Sequence, residues 1–185
     1  MIRGKLGSSF VANIAIWFMI FPGVLVAESS HAPVTPVGEF SNMHVQNEHC
    51  SGYSIRLWKS GEKLYGIFLA CNGLAGDTPT GLLDDVMWDS VSQHISWKAK
   101  LTLGSDVLES GAQVPSKDDF SFAGVFKGNV ISGKLTAHDQ ADPDADVSTR
   151  SIRLPRGPNE LDSFADYGAW KRATDALLKL RGPRW

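Results

Sequence analysis

The sequence predicts an all-β fold, an antiparallel meander of about six to eight short strands that closes into a small barrel or curled sandwich, with a C-terminal α-helix packed on it. Three observations lead to this prediction. The two cysteines flank a single hairpin-like stretch, short apolar segments follow one another through tight turns, and helical periodicity is confined to the last thirty or so residues.

The stretch from residue 50 to residue 71 predicts a hairpin closed by a disulfide. Ser60-Gly61 lies at its midpoint, and glycine supplies the positive φ that tight hairpin turns require. With this pair as a two-residue turn, Cys50 directly faces Cys71 at a Cα separation that suits a disulfide. We therefore expect a Cys50–Cys71 bond.

Metal ligation is the alternative use of the cysteines, together with His44 and His49. Zinc sites use shorter ligand spacings than these residues offer. The acidic run over residues 142–146 alternates like the start of a calcium loop, but Val147 and Arg153 stand where that loop needs glycine and glutamate. We expect no metal and no cofactor.

Residues 1–27 have the layout of a secretory signal peptide. Arg3 and Lys5 precede an apolar run over residues 10–21, and the segment ends at the small residue Ala27. An uncleaved N-terminal anchor is the alternative, because the apolar run is nearly long enough to span a bilayer. A disulfide persists in oxidising compartments, so we expect a periplasmic or secreted protein that meets a membrane only if this segment is retained.

The remaining chain divides into three parts. Residues 28–37 are polar and proline-rich and predict a linker, residues 38–155 predict the β domain, and residues 156–185 predict the helical tail. In the β domain, residues 94–101 alternate apolar and polar side chains, as in a half-buried antiparallel strand. The expected strands cover 53–59, 63–70, 82–88, 94–101, 119–126, 130–137 and 149–155.

Two further segments and the tail carry expectations of their own. Residues 72–81 are rich in glycine and predict irregular structure, whereas residues 106–110 predict a brief helical turn. The tail predicts a helix over residues 160–181 with Asn159 as its N-cap and a kink near Gly168. We expect this helix to pack on the sheet. Recruitment of another protein or a membrane surface by its basic residues is the alternative.

The first hairpin carries the predicted ligand-binding face. Cationic and aromatic side chains alternate there, a pattern that can hold a polar, partly planar ligand. The alternative is a packing face in which Ile67 and Leu69 lie under the terminal helix. The four residues are Arg56, Trp58, Lys63 and Tyr65, with Arg56 opposite Tyr65 and Trp58 opposite Lys63 in the expected register.

Catalysis and nucleic-acid binding find little support in the sequence. The formal net charge of −2 lacks the basic character of a nucleic-acid partner, and the chain contains neither a nucleophile elbow nor a phosphate-binding loop. Asp84 and Asp85 are expected on opposite faces of a strand, which prevents them from sharing a proton.

We expect an exported, non-catalytic binding or interaction module of the cell envelope, whose partner is a small molecule or an envelope protein. In architecture alone the pattern is similar to avidin-like and lipocalin-like up-and-down barrels, and no ligand follows from that similarity. The alternative function is a small envelope hydrolase that uses His94 or His138 with Asp77 or Asp139.

Overall fold

The computed structural model describes residues 32–140, 147–158 and 160–185. These residues are mostly antiparallel β-structure, followed by a single C-terminal helix. The predicted signal peptide lies outside the described residues. The strands are β1 (Thr35–Ser41), β2 (His44–Gln46), β3 (His49–Ser60), β4 (Lys63–Leu74), β5 (Thr80–Asp89), β6 (His94–Leu101), β7 (Ser105–Val107), β8 (Gln113–Pro115), β9 (Asp118–Lys127), β10 (Val130–Asp139) and β11 (Ser148–Pro155), and the helix is α1 (Tyr167–Arg181).

Eight strands form a curled half-barrel in the order β1-β3-β4-β5-β6-β9-β10-β11. Short β2 pairs with β3, and β7 and β8 form a separate small hairpin. The predicted fold class is therefore confirmed. The first and last strands approach each other where Phe40 bridges Arg156, and the N–H of Gly157 donates to the Glu39 carbonyl at 2.8 Å.

Arg156 links the two ends of the curl. Its Nη1 donates to the Val37 carbonyl at 2.7 Å, and its guanidinium carbon lies 4.9 Å from the centre of the Phe40 ring. Gly38 has φ +146°, and a Cβ at this position would lie 2.7 Å from Arg156 Nη1. Glycine at residue 38 therefore makes room for the arginine that joins β1 to β11.

Side chains fill the inside of the curl. The centre of the Phe68 ring lies 4.7 Å from Trp97 and 5.3 Å from Phe120, and Trp97 stacks on Phe122 at 5.4 Å. Apolar side chains from every long strand complete this cluster. Because protein interiors are close-packed, this core leaves the inner face of the sheet to packing.

The first hairpin confirms the disulfide and corrects its register. The turn is Gly61-Glu62, with Gly61 at φ +58°, so Ser60 pairs with Lys63. Glycine occupies the first central position of the turn, as in type II′ hairpins, whereas the sequence analysis placed it second. The pairing is thus shifted by two residues from the predicted one.

A shift of two residues keeps every side chain on its predicted face, because the side-chain period of a strand is two. Cys50 now faces Gly73, and Cys71 faces Gly52. The cysteines are diagonal rather than direct neighbours, yet their Cα atoms lie 5.6 Å apart and the disulfide forms. This bond is compatible with an oxidising, extracytoplasmic compartment.

Three local expectations were wrong. Residues 28–31 of the predicted linker lie outside the described residues, but residues 35–37 at its end belong to β1. Val34 is buried, and its backbone exchanges two hydrogen bonds with Phe164. The expected helical turn at 106–110 overlaps the β7–β8 hairpin, and the expected loop at 72–81 contains the end of β4 and the start of β5. In each case strand pairing outweighed local composition.

The terminal helix is shorter than predicted. It begins at Tyr167, with the Asp166 carboxylate as N-cap accepting from the Ala169 N–H at 2.8 Å. The predicted cap, Asn159, lies outside the described residues. Gly168 falls in the first turn of α1, where the expected kink does not arise.

The helix packs on the outer face of β3 and β4, as expected. Trp170 is 1% exposed and contacts Trp58 with ring centres 6.0 Å apart, beside Ile67 and Leu69. The Trp58 indole N–H donates to the Asp162 carbonyl at 2.9 Å. In residues 32–140, 147–158 and 160–185, none of the helical structure has the length and apolar character needed to cross a bilayer.

Replacing both Cys50 and Cys71 with serine should lower the free energy of unfolding by about 3 kcal/mol, because the bond closes a loop of 21 residues. Urea denaturation of the oxidised protein and of the double variant measures this difference. Reductant should lower the wild-type midpoint and leave the variant unchanged. A wild-type midpoint that is insensitive to reductant would contradict the assignment.

Trp170→Ala should cost about 3 to 5 kcal/mol, because it empties the largest contact between α1 and the sheet. Urea denaturation followed by far-UV circular dichroism measures the loss. Arg172→Ala, at an exposed position of the same helix, is the matched control and should change stability by less than about 0.5 kcal/mol. Equal effects of the two substitutions would argue against docking through Trp170.

Candidate functional site

The structure separates the four predicted ligand-binding residues into two groups. Arg56 and Trp58 take part in packing: Arg56 Nε lies 3.1 Å from Glu39 Oε2, and Trp58 is only 6% exposed beneath α1. Lys63 and Tyr65 lie instead beside an opening in the sheet. The observed partners are Trp58 opposite Tyr65 and Arg56 opposite Ile67, which corrects the predicted pairs.

The opening lies between β4 and β5. These strands are 12 and 10 residues long, but their register covers only Ile67–Leu82, Phe68–Gly81 and Leu69–Thr80. Between Gly66 and the hairpin turn, β4 and β5 separate. The opposite edge of β4 pairs with β3 along the whole strand. We call the resulting opening the β4–β5 slot. It has a volume of about 440 Å³ and is lined by residues 62–65, residues 82–86, Trp88, Tyr167 and Trp170.

A bulge in β5 accompanies the separation. The register with β6 shifts between Asp84 and Met87, and Asp85 adopts φ +51°. A non-glycine residue in this left-handed region is strained, and such strain persists where the surroundings enforce it. The bulge keeps β5 on β6 while its near edge leaves β4.

Both neighbouring aspartates line the slot, although the sequence analysis placed them on opposite faces. Asp85 Oδ2 accepts from Lys98 Nζ at 3.0 Å, and this hydrogen bond raises the pKa of Lys98. Asp84 is exposed and makes no hydrogen bond or ion pair with the described part of the chain. Asp84 therefore contributes to the slot lining a carboxylate that has no partner among the described residues.

Aromatic rings form the opposite wall of the slot. Tyr65 lies 4.8 Å from Tyr167 and 5.3 Å from Trp170 between ring centres, and Tyr167 is 41% exposed. Trp88 lines the slot from the inner side of the sheet and contacts Phe126 at 5.3 Å. The slot combines carboxylates, one lysine and aromatic edges, which is the composition of many polar-ligand sites.

The indole N–H of Trp170 is an unusual feature of this wall. Its Nε1 is buried and has no hydrogen-bond partner among the described residues. A buried donor without an acceptor is destabilising, and most native structures avoid it. Trp170 lines the slot together with Tyr65 and Tyr167, and its side chain is almost fully buried.

A second groove lies at the disulfide end of the sheet. Its volume is about 340 Å³, and Leu74, Leu103 and Leu180 line it together with Arg181 and Arg184. The tail is fixed there, because Trp185 Nε1 donates to the Leu101 carbonyl at 2.9 Å. The strand edges and buried donor described above distinguish the β4–β5 slot from this groove.

The two histidines of the alternative hydrolase do not line the slot, but His138 lines a neighbouring pocket that shares Asp84 and Asp85 with it. His94 is exposed, and its Nδ1 lies 2.7 Å from the Gly124 carbonyl, while His138 Nδ1 lies 2.9 Å from Gln140 Nε2. Asp77 lines the disulfide-end groove, and Asp139 lies at the end of β10. The structure thus distributes these residues over several surfaces.

Metal ligation also lacks a cluster of suitable groups. In the described residues, no three side chains of histidine, cysteine, aspartate or glutamate are grouped to hold an ion. Cys50 and Cys71 are engaged in the disulfide. The acidic run at 142–146, which alternates like a calcium loop, falls outside the described residues except for the following Val147.

Sequence reasoning located Lys63 and Tyr65 but missed Asp84, Trp88 and Trp170 as neighbours. Trp170 is about a hundred residues from the hairpin, and the slot forms only because two strands separate. The aromatic spacing of Tyr167 and Trp170, three residues apart on one helix face, was the available signal. Comparison with protein-family models, curated proteins and solved structures finds no match to the chain.

The carboxyl group of Asp106 in β7 gives a pH-dependent prediction. Burial raises the pKa of Asp106, and the nearby carboxylates of Asp139 and Asp118 raise it further. Because this pKa is raised in the folded state, the free energy of unfolding is highest while Asp106 is protonated. It falls as pH rises through the pKa. Asp106→Asn should therefore melt at a higher temperature than wild type at pH 7.

The difference should disappear below about pH 4, where the wild-type carboxyl is protonated as well. Thermal denaturation at several pH values measures it. Glu109→Gln is the control, because Glu109 is an exposed carboxylate in the turn between β7 and β8. This variant should show no such pH dependence. A lower melting temperature for Asp106→Asn at pH 7 would contradict the assigned direction of the pKa shift.

Proposed function

We propose that the protein is an exported, non-catalytic binding module of the cell envelope that holds its ligand in the β4–β5 slot. The observation that carries this proposal is the early end of the β4–β5 pairing, after three residue pairs. Where this pairing ends, polar and aromatic side chains of β4, β5 and α1 line an opening of about 440 Å³. An opening with this lining can hold a polar ligand.

The core of the curl is filled by side chains, so we place the ligand outside it. Small barrels that bind internal ligands leave a cavity in the mouth or centre. Here Phe68, Trp97, Phe120 and Phe122 pack against one another at that position. The slot instead offers polar and aromatic groups at the surface.

Export is supported by two independent features. The signal-like layout of residues 1–27 favours secretion, and the Cys50–Cys71 disulfide is compatible with an oxidising compartment. A binding role without catalysis is supported by the contacts of the two histidines, because the Nδ1 atoms of His94 and His138 engage the Gly124 carbonyl and the Gln140 amide rather than a carboxylate.

The lining of the slot favours a polar ligand with hydrogen-bond donors. Asp84 can accept hydrogen bonds or pair with a cation, and the edges of Tyr65 and Tyr167 can contact apolar parts of the ligand. This chemistry agrees with the polar, partly planar ligand expected from the hairpin residues. Trp58 supports the slot wall through its contact with Trp170, whereas Arg56 pairs with Glu39 of β1.

Asp84→Asn should reduce capture of the slot ligand from an envelope extract by about tenfold, because it removes one charge-assisted interaction. The measurement compares the components retained by immobilised wild-type and variant proteins. Thermal stability should be unchanged, since Asp84 is exposed and unpaired in the described part of the chain.

Glu109→Gln is the matched control, because it removes one exposed negative charge far from the slot in sequence and outside its lining. It should retain wild-type capture. Identical profiles for wild type, Asp84→Asn and Glu109→Gln would place binding elsewhere and contradict the proposal.

A further inference from the structure

We infer that the binding site continues from the β4–β5 slot across the outer face of the sheet and takes an uncharged, hydroxyl-rich oligosaccharide chain. This inference rests on the proposed function and names its ligand class. It depends on a second pocket beside the slot, on polar side chains that the strand register places in one row, and on the balance of charges along both pockets.

A pocket of about 420 Å³ adjoins the slot on the β6 side of β5. Asp84 and Asp85, at the bulge of β5, line both pockets. The second pocket extends over β6, β9 and β10, where its lining includes Lys98, Ser121 and Thr136. We call it the polar pocket. Because the two pockets share one segment of β5, a single elongated ligand can reach both.

The strand register places polar side chains of four neighbouring strands in one row. Asp84 of β5 pairs with Lys98 of β6, which in turn pairs with Ser121 of β9. Ser121 pairs with Thr136 of β10. Successive side chains of a strand point to opposite faces, and the preceding residue on each strand belongs to the core. The row therefore lies on the outer face of the sheet.

The spacing of this row suits a chain of sugar units. Neighbouring strands lie about 4.8 Å apart, so the row from β5 to β10 covers roughly 14 Å. One pyranose unit of an extended chain has nearly the length of one strand spacing. A chain that crosses the strands therefore meets one polar side chain per unit, and a further unit reaches the aromatic edge of the slot at Tyr167.

The side chains of the row offer both hydrogen-bond acceptors and donors. Asp84 is an acceptor without a partner among the described residues, and the hydroxyls of Ser121 and Thr136 both donate and accept. Thr136 Oγ1 lies 3.1 Å from Thr149 Oγ1. A hydroxyl has one donor and two acceptor positions, so this bond leaves Thr136 capacity for a ligand. Sugar hydroxyls have the same dual character and match this lining.

The charges of the two pockets nearly cancel, which favours an uncharged ligand. Their lining contains four carboxylates and three ammonium groups, those of Lys63, Lys98 and Lys100. Asp85 is already paired with Lys98 at 3.0 Å. A polyanion would approach the carboxylates and a polycation would approach the lysines, and each approach of like charges is unfavourable. An oligosaccharide without charged groups meets neither cost.

A sugar chain fits this geometry better than an extended peptide does. Peptides that add to a sheet run along a strand and need a free strand edge. The row instead runs across four strands that are paired with one another. The groups available to a ligand on this face are therefore side-chain groups, and they follow one another in the direction across the strands.

Titration of the isotope-labelled protein, followed by nuclear magnetic resonance, tests the inference. At least one of cellopentaose and chitopentaose, which are extended β-linked chains, should shift the backbone amide signals of Asp84, Ser121 and Thr136 at about 1 mM. The disaccharide of the same sugar should bind about fivefold more weakly, because it cannot cover the row. Maltopentaose, whose α-linkages curve the chain away from the row, should also bind about fivefold more weakly.

A matched pair of threonine variants tests the row itself. Thr136→Val and Thr149→Val each remove one partner of the same hydrogen bond, so they should change the melting temperature by similar small amounts. Of the two residues, Thr136 alone lines the polar pocket. Thr136→Val should therefore weaken binding about fivefold, whereas Thr149→Val should keep the wild-type affinity. Ser121→Ala should weaken binding to a similar extent, and Ser151→Ala, at an exposed serine outside both pockets, should not.

Four results would overturn the oligosaccharide inference. They are the absence of shifts at Ser121 and Thr136 with both β-linked pentasaccharides, equal affinity for the disaccharide, equal affinity for maltopentaose, and equal weakening by Thr136→Val and Thr149→Val. The proposed function fails separately, when capture from the extract is insensitive to Asp84→Asn. Failure of the sugar titrations together with capture that depends on Asp84 would retain the slot as a binding site and reject its assignment to an oligosaccharide.

Discussion

The fold depends on one hairpin that is buried on both faces. The inner row of β3 and β4 contributes Ile55, Leu57 and Phe68 to the core, and the outer row places Trp58 under Trp170. Sheet strands that are covered on both sides are held from two directions at once. The disulfide holds one end of this hairpin, and the docked helix covers its other half, so the remaining strands curl around a fixed pair.

The slot follows from the same arrangement. β4 is held by full pairing with β3 and by α1, while β5 stays paired with β6 through a bulge at Asp85. One strand cannot follow both neighbours when the sheet curls strongly, and bulges are a common means of redirecting a strand. The opening therefore lies between β4, which is held by β3 and α1, and β5, which follows β6.

The alternation of apolar and polar side chains was enough to predict most strands. It also predicted the face of each hairpin residue, because a register shift of two residues leaves every side chain on the same face. The exact register was not predictable from Ser60-Gly61, since glycine fits either central position of a tight turn. The start of α1 depended on Asp166 rather than Asn159. The slot could not be predicted, because it forms only where Trp170 and Asp84 lie near Tyr65 in the folded chain. Local sequence patterns do not encode such long-range packing.

Hydrogen exchange of the free protein tests the central claim most directly, because it reports which β4 amides are paired. Phe68 and Ala70, whose backbone groups pair toward β5, should be strongly protected. Leu64, beyond the end of the register, should exchange much faster. Equal protection of all three amides would mean that β4 and β5 pair along their full length, and it would contradict both the slot and the proposed function.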